Sequence, residues 1–231
     1  MNDYRYIRQT SLPEIGEKGQ EQLSLSRVLI VGAGALGSVV GLYLAGAGVG
    51  HITVADFDTV SMSNLQRQIA YTEADAGAPK AETLARRLRA VNSEITVAAL
   101  GVKMDSDMLR RCLNDFDLVV EASDNAATKY AVTDAALSAG KPCVCGGVNG
   151  FRGEVHTHLP GGTTYRDIFP EAGEAEPEKN RPVFGPVPGI VGSIQAAEAL
   201  KILAGVGASL TSTLLLIDTL TMQFTPIAIG D

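Results

Sequence analysis

A glycine-rich segment near the amino terminus limits the fold more than any other part of the 231-residue chain. Four apolar residues, 28–31, are typical of a buried parallel strand, and they lead directly into a G-x-G-x-x-G turn. The glycines of this turn are Gly32, Gly34 and Gly37. An Ala- and Leu-rich helix is predicted to follow, and then a second strand, 51–55, which ends at Asp56.

This order of strand, glycine turn, helix, strand and acid is the nucleotide-binding unit of a Rossmann-type sheet. The glycines let the backbone approach phosphates, and the helix amino terminus supplies amide donors and a positive dipole end. Asp56 lies 19 residues beyond Gly37, where a carboxylate can accept hydrogen bonds from ribose hydroxyls. The segment therefore predicts nucleotide binding; the alternative is a tight turn without a ligand.

The residues after Asp56 carry more polar groups than a ribose requires. They include Asp58, Asn64, Arg67 and Gln68, all close in sequence to the mouth of the glycine turn. An arginine is a planar, bidentate donor that can stabilise charge developing on a phosphate. The segment therefore indicates that the nucleotide's phosphates react here; the alternative is an exposed polar loop.

Two further charged residues are expected at the same edge of the sheet. Lys80 begins a predicted helix that continues to about Val91, and Asp124 follows a predicted strand over 118–122. Parallel strands direct their carboxyl ends toward the ligand crevice, so Asp124 is predicted near the glycine turn, where Mg²⁺ would bridge it to phosphates. Alternatively, Asp124 is the N-cap of a helix over 125–139, and both roles are compatible.

The remaining pattern favours an α/β fold, with a largely parallel Rossmann-like sheet flanked by helices and antiparallel strands at its carboxyl-terminal end. Further strands are predicted at 95–100, 142–147, 153–158, 210–217 and 222–229, and further helices at 104–114 and 189–203. We expect a single domain over 1–231. It has a solvated amino-terminal arm over 1–26 that packs on the body, and a long loop over 160–188.

Two short patterns contain residues that often bind metals. Cys143 and Cys145 form a CxC pair within an apolar strand, and this favours two buried thiols over a metal site. His156 and His158 alternate with Val155 and Thr157, so both point to one face of a strand. No third ligand is evident nearby in the sequence, so the histidines are expected on the strand surface.

Bulk properties exclude several classes of function. A formal net charge of −7 and a pI of about 5.0 argue against a nucleic-acid partner, which needs a basic face. Unbroken apolar runs are too short for a membrane span, and the first ten residues lack an apolar signal region. Three cysteines without framework spacing suit the reducing cytoplasm, where we expect the protein.

Several motifs together resemble those of the ThiF/MoeB/HesA adenylyltransferases, the bacterial relatives of ubiquitin-activating enzymes. They are VLIVGAGALGS, DFDTVSMSNLQRQ, GAPKAE, ASDN and GPVPGIVGSIQAAEALKIL. The resemblance extends over nearly the whole chain, and the second motif is far more specific than the glycine turn. It implies binding of MgATP and of a small ubiquitin-like sulfur-carrier protein that ends in Gly-Gly. The carrier's carboxylate would attack the α-phosphate and give an acyl-adenylate and pyrophosphate.

The same resemblance implies roles for matching positions. Those around the nucleotide are Gly32, Gly34, Ala35, Gly37, Asp56, Asp58, Asn64, Arg67, Gln68 and Lys80. Arg67 and Lys80 would act on the phosphates, Asp124 would serve Mg²⁺, and Arg8 would reach into the site of the other subunit of a homodimer. A carboxylate is already nucleophilic at neutral pH, so catalysis would rest on alignment and charge neutralisation.

Three departures from the family pattern change the expectation. Family members often bind zinc with two CxxC pairs, but the first pair is replaced here by 164–167, so we expect no zinc. Residues 160–188 contain no cysteine for thioester or persulfide transfer, so the reaction is expected to stop at adenylation. Ala35 stands where relatives often have glycine, and its methyl group is expected to weaken or alter ATP binding.

Two other functions are compatible with parts of the sequence. An NAD-dependent oxidoreductase would account for the glycine turn and Asp56, but it leaves Arg67, Lys80 and Asp124 unexplained. A non-catalytic binder of a ubiquitin-like partner would account for Ala35 and the missing cysteines. The sequence does not identify the carrier, since thiamine, molybdopterin and other pathways use enzymes of this kind.

Overall fold

A computed structural model describes residues 4–170 and 182–229 of the chain. Its strands are β1 (Arg27–Val31), β2 (His51–Ala55), β3 (Thr96–Leu100), β4 (Leu118–Glu121), β5 (Cys143–Asn149), β6 (Arg152–His158), β7 (Thr213–Asp218) and β8 (Gln223–Ala228). Its α-helices are α1 (Ile7–Thr10), α2 (Gly16–Leu25), α3 (Ala35–Ala47), α4 (Lys80–Val91), α5 (Ser106–Cys112), α6 (Ala126–Ser138), α7 (Tyr165–Ile168) and α8 (Pro186–Ala204). The strands that border the glycine turn are β1, β2 and β4, and all three precede β5 in the chain.

The eight strands form one sheet in the order β3-β2-β1-β4-β5-β6-β7-β8. The first five strands of this order are parallel, and β6, β7 and β8 join by antiparallel pairing. The predicted α/β fold is therefore confirmed, including its antiparallel carboxyl-terminal strands. The strand order reverses between β1 and β4, and a sheet of this kind binds ligands in the crevice at such a point.

The central strand β1 contributes to an apolar core on each face of the sheet. Val28 and Ile30 are fully buried on the face that α3, α4 and α8 cover. Leu29 and Val31 are buried on the opposite face, in a core with α5 and α6. Burial on both faces explains why β1 reads as a continuous apolar run rather than an alternating one.

The amino-terminal arm is more ordered than its sequence indicates. Instead of a solvated arm, residues 4–26 include α1 and α2, and Leu23 of α2 lies in the main core. The Tyr6 ring is buried, and its hydroxyl accepts a hydrogen bond of 2.8 Å from the Asn92 side chain. The arm packs on the body as predicted, but it does so through two helices and buried side chains rather than as a solvated segment.

By length and composition alone, α8 is apolar enough to cross a membrane, although half of its most apolar window is buried inside the protein. Val187, Val191 and Ala199 of this helix belong to the main core. The apolar character of α8 is that of a helix packed between the sheet and α3. The sequence places the start of this helix three residues late, because Gly185 and Pro186 look like loop.

The CxC and HxH patterns both lie in the core. Cys143 and Cys145 are buried, which confirms the prediction of buried thiols. His156 and His158 are only 2% and 0% exposed, so the prediction that they lie on the strand surface is wrong. β6 lies between β5 and β7, and Tyr165 of α7 contacts the His158 ring. Of the predicted loop over 160–188, residues 171–181 lie outside the described residues.

Candidate nucleotide-binding site

The glycine turn lies where β1, α3 and β4 meet. Gly32 has a φ of +102°, and a Cβ atom there would be 2.6 Å from the Ala122 carbonyl oxygen. A Cβ atom on Gly37 would be 1.8 Å from the Gly32 carbonyl oxygen. Side chains at these two positions are therefore excluded, and the amino terminus of α3, beginning at Ala35, is held against the turn.

Asp56 connects the end of β2 to this turn. Its carboxylate accepts hydrogen bonds of 2.7 Å from the Ala33 amide and 2.8 Å from the Asp58 amide. The Tyr71 hydroxyl donates to the Ala33 carbonyl oxygen over 2.5 Å, and burial raises the pKa of Tyr71 so that it remains a donor. The structure thus brings Asp56 to the position that the sequence predicts, beside the backbone expected to hold a nucleotide.

Lys80 brings a nearly buried charge to the same edge. Its side chain is 8% exposed, and its Nζ lies 3.1 Å from the Asp58 carboxylate, which is 52% exposed. The Lys80 amide donates to the Asp58 carbonyl oxygen over 2.9 Å, which fixes the first turn of α4 against the segment after β2. The ammonium group is therefore paired with one carboxylate at the mouth of the site, where an incoming phosphate would compete for it.

Asn64 and Arg67 lie on the turn that follows. The Asn64 side chain accepts a hydrogen bond of 3.2 Å from the Ser61 amide, and the Arg67 guanidinium donates over 3.1 Å to the Ser63 carbonyl oxygen. Arg67 is only partly buried, and its bond to Ser63 uses one of five donor hydrogens. The remaining donors are thus available to an anion at this edge of the sheet.

Gln68 lies beneath the glycine turn. It is 5% exposed, and a Cβ atom on Gly34 would be 3.5 Å from its amide nitrogen. Its buried amide oxygen has no hydrogen-bond partner among the described residues. A buried acceptor without a partner is costly, so a donor from a ligand at the turn would satisfy it.

Asp124 lies at the carboxyl end of β4, next to the glycine turn. Its side chain is exposed, and it makes no hydrogen bond or ion pair with the described part of the chain. The cap of α6 is Asn125, whose side chain accepts a 2.9 Å bond from the Thr128 amide. The alternative in which Asp124 is the cap is therefore wrong. A free carboxylate of this kind fits Mg²⁺, which typically takes one or two carboxylates together with phosphate oxygens and water.

The site predicted from the sequence did not include a buried ion pair that lies beneath Asp124. Glu121 is fully buried and accepts hydrogen bonds from the Ser123 amide and hydroxyl and from Lys129. Lys129 also donates to the Gly146 carbonyl oxygen over 2.6 Å, and Gln195 of α8 donates to the Glu121 carbonyl oxygen over 2.9 Å. The sequence signal that could have revealed this pair was the single acid inside the apolar strand LVVE, because a buried charge needs a partner.

The electrostatics of this pair follow from its burial. Loss of solvent disfavours the charge on Lys129, but attraction to Glu121 outweighs that effect and raises the pKa of Lys129. Lys129 therefore remains charged and bonded to the Glu121 side chain. Because Glu121 also bonds to Ser123, the pair fixes the backbone that presents Asp124.

Arg8 does not reach the site of its own chain. It lies exposed on α1, and the next residue, Gln9, donates over 3.2 Å to the carbonyl oxygen of Ala47, the last residue of α3. The glycine turn is at the other end of this 13-residue helix, about 20 Å away at about 1.5 Å per residue. Any contact of Arg8 with a nucleotide would require a second chain.

The model of the ThiF family matches residues 6–231. The sulfur carrier protein adenylyltransferase of Thermus thermophilus is 45% identical over 229 residues, which is 95% of this chain and 84% of that protein. The SAMP-activating enzyme E1 of Haloferax volcanii is 41% identical over 95% of this chain and 83% of its own length. A crystal structure of E. coli MccB with ATP matches with a TM-score of 0.83 and 25% identity, covering 93% of this chain and 67% of that one.

Proposed function

The chain belongs to the ThiF family, and we propose that it uses ATP to adenylylate the C-terminal glycine of a ubiquitin-like sulfur-carrier protein. The names of its relatives in Thermus and Haloferax support this activity and this class of partner. One structural observation supports it most: Lys80, which pairs with Asp58 after β2, and the free carboxylate of Asp124, after β4, follow the two strands on either side of β1, which leads into the glycine turn. A cofactor that is bound without reaction at its phosphates, such as NAD, needs neither group.

In the proposed reaction, a carboxylate oxygen of the carrier's terminal glycine attacks the α-phosphorus of ATP. The bond from that phosphorus to the bridging oxygen breaks, and pyrophosphate leaves with the electron pair. Arg67 and Lys80 neutralise charge on the phosphates, and the backbone of the glycine turn and Asp56 align the nucleotide. No protein base is required, because the attacking carboxylate is already ionised at neutral pH.

We also propose that the Asp124 carboxylate helps to bind Mg²⁺. When bound, the ion would neutralise charge on the phosphate oxygens. The contribution of this chain is a carboxylate on a fixed backbone, because Glu121 bonds to the Ser123 amide and leaves Asp124 free. Asn64 and Gln68 would complete the polar lining on the opposite side of the glycine turn.

Other parts of the proposal rest on sequence. We infer a single domain over 1–231, a cytoplasmic homodimer with Arg8 acting across the dimer, and no zinc at the CxxC positions of the family. The first of these positions, Thr164–Asp167, begins α7 and contains neither cysteine nor histidine. Since 160–188 has no cysteine, the product would be released as the acyl-adenylate, with sulfur supplied elsewhere.

Exchange of labelled pyrophosphate into ATP tests this function. The purified chain is incubated with ATP, Mg²⁺ and a sulfur-carrier protein encoded in the same genome, and exchange is expected only when the carrier is present. A carrier that lacks its terminal glycine is the matched control and should give none. Exchange with neither this carrier nor any other from the genome would contradict the proposal, and carrier binding without ATP turnover would favour a non-catalytic binder.

A further inference from the structure

The two metal-binding sequence patterns meet across a pair of strands. In the antiparallel pairing of β5 with β6, Cys143 is opposite His158 and Cys145 is opposite His156. Residues that are opposite each other in such a pair point to the same face of the sheet. Two thiols and two imidazoles therefore lie together on one face, and none of the four residues is more than 3% exposed.

The two sulfurs already have the spacing of metal ligands. The Sγ atoms of Cys143 and Cys145 are 3.7 Å apart, and both cysteines are free thiols. Two sulfurs bound to a tetrahedral Zn²⁺ at about 2.3 Å lie about 3.8 Å apart. The distance between these atoms thus matches one edge of a zinc tetrahedron.

The imidazoles are held as zinc-binding histidines usually are. Nδ1 of His156 lies 3.2 Å from the Thr213 carbonyl oxygen, and Nδ1 of His158 lies 2.7 Å from the Thr163 carbonyl oxygen. A carbonyl accepts only from a protonated nitrogen, so in a neutral imidazole bound in this way the lone pair is on Nε2. Both Nε2 atoms are buried and have no hydrogen-bond partner among the described residues.

The charges balance if a divalent ion enters. Two thiolates, two neutral imidazoles and one divalent cation sum to zero net charge, which a dry core tolerates.

We propose that Cys143, Cys145, His156 and His158 bind one Zn²⁺ ion between β5 and β6. Among the described residues, no three His, Cys, Asp or Glu side chains already surround a common metal position, so binding requires the four side chains to close around the ion. Their rings are 4.3 Å apart in an edge-to-face arrangement. The site differs from the CxxC pairs of the family, revises the expectation that the chain holds no zinc, and is independent of the proposed reaction.

Metal content tests the site directly. The full chain is unfolded in denaturant that contains a chelator and is refolded with Zn²⁺ or Co²⁺. Loosely bound metal is then removed, and the metal content is measured by elemental mass spectrometry. About one ion per chain is expected, and the cobalt form should show a thiolate-to-cobalt charge-transfer band and the visible bands of tetrahedral Co²⁺. Cys145→Ser and His158→Gln should each lower zinc affinity at least tenfold, whereas Cys112→Ser, outside the cluster, should not.

Two results would overturn the site. The first is a refolded wild-type chain that retains no zinc and shows no thiolate-to-cobalt band, which is decisive even if the variants fail to fold. The second is equal zinc retention by wild type, Cys145→Ser and His158→Gln, all with native circular dichroism. That outcome would place any bound metal at another position.

Discussion

Asp124 illustrates how a buried residue can determine the role of an exposed one. The Asp124 carboxylate is free because its neighbours take the structural duties: Asn125 caps α6, and Glu121 holds the Ser123 backbone. Glu121 in turn depends on Lys129, which lies eight residues along the chain on α6. The position of the carboxylate proposed for Mg²⁺ therefore depends on the buried pair of Glu121 and Lys129.

Asp124→Ala and Arg67→Ala are expected to lower carrier-dependent pyrophosphate exchange by about 10²-fold or more, because each removes charge stabilisation at the phosphates. Both should keep the circular dichroism and melting temperature of wild type, since neither side chain is buried. Asp107→Ala, which removes an exposed acid on α5, is the matched control and should retain full exchange. Near-normal exchange in Asp124→Ala or Arg67→Ala would show that the proposed site is wrong.

Lys129→Ala is expected to lower the free energy of unfolding by about 3–5 kcal/mol, because it leaves the Glu121 carboxylate buried and unpaired. Urea denaturation measures this difference. The double variant Glu121→Gln with Lys129→Met should recover much of the loss, since it removes both charges together. A single variant as stable as wild type would mean that the pair is not charged in the folded protein.

At the scale of elements, the sequence predicts those strands and helices whose burial shows in the pattern of their own residues. β1 and β2 appear within one residue of the expected bounds, because strands buried on both faces read as continuous apolar runs. α2 is missed, because GEKGQEQLSL carries few apolar residues and no side-chain cap. The burial of His156 depends on β7 and on packing distant in sequence, and no local pattern shows it.

The same distinction applies to the candidate site. Asp56, Lys80 and Asp124 were predictable because each follows or begins an element at the carboxyl edge of parallel strands. Glu121 and Lys129 were not, because their role depends on how α6 packs over the end of β4. The pairing of the CxC and HxH patterns was also inaccessible, since it depends on the register of two strands.

The amino end of α6 gives a test that separates cap from ligand. Asn125→Ala should lower the free energy of unfolding by about 1 kcal/mol, because the Thr128 amide loses its acceptor. Asp124→Ala should change stability by less than about 0.5 kcal/mol. Urea denaturation of both variants decides the matter, and the reverse order of stabilities would make Asp124 the cap.

Asp75 ties the turn before α4 to that helix. Hydrogen bonds from the Thr72 amide and hydroxyl and from Arg87 lower the pKa of Asp75 to about 2. Since the carboxylate is favoured in the folded state, its contribution is fully present above about pH 4, the unfolded pKa, and is lost as the pH falls toward 2. Asp75→Asn should cost about 2 kcal/mol at pH 7 and much less at pH 2, as measured by urea denaturation at each pH. A cost that does not depend on pH would contradict this.

At the scale of the whole molecule, the position of Arg8 makes assembly part of the proposed function. In one chain, Arg8 is at the far end of α3 from the glycine turn, so a role at the phosphates requires a homodimer in which α1 of one subunit reaches the other's site. Large apolar side chains are exposed on α1 and α3, including Ile7 and Tyr43, which is consistent with a face that a second subunit covers.

Mixing two inactive variants tests this arrangement. Arg8→Ala and Arg67→Ala chains, unfolded and refolded together, should form mixed dimers in which one site has both arginines. Recovery of about a quarter of wild-type exchange is expected if half of the dimers are mixed and each has one intact site. No recovery, with mixed dimers demonstrated by size and tag, would show that Arg8 does not act across the dimer.

The intact mass of the carrier protein tests the central claim most directly. After incubation with the chain, ATP and Mg²⁺, followed by rapid acid quenching, we expect the carrier to gain the mass of one AMP group at its terminal glycine. The Asp124→Ala chain and the carrier without that glycine should both give an unmodified mass. A carrier that stays unmodified with the wild-type chain, while ATP is bound and the fold is intact, would contradict the account.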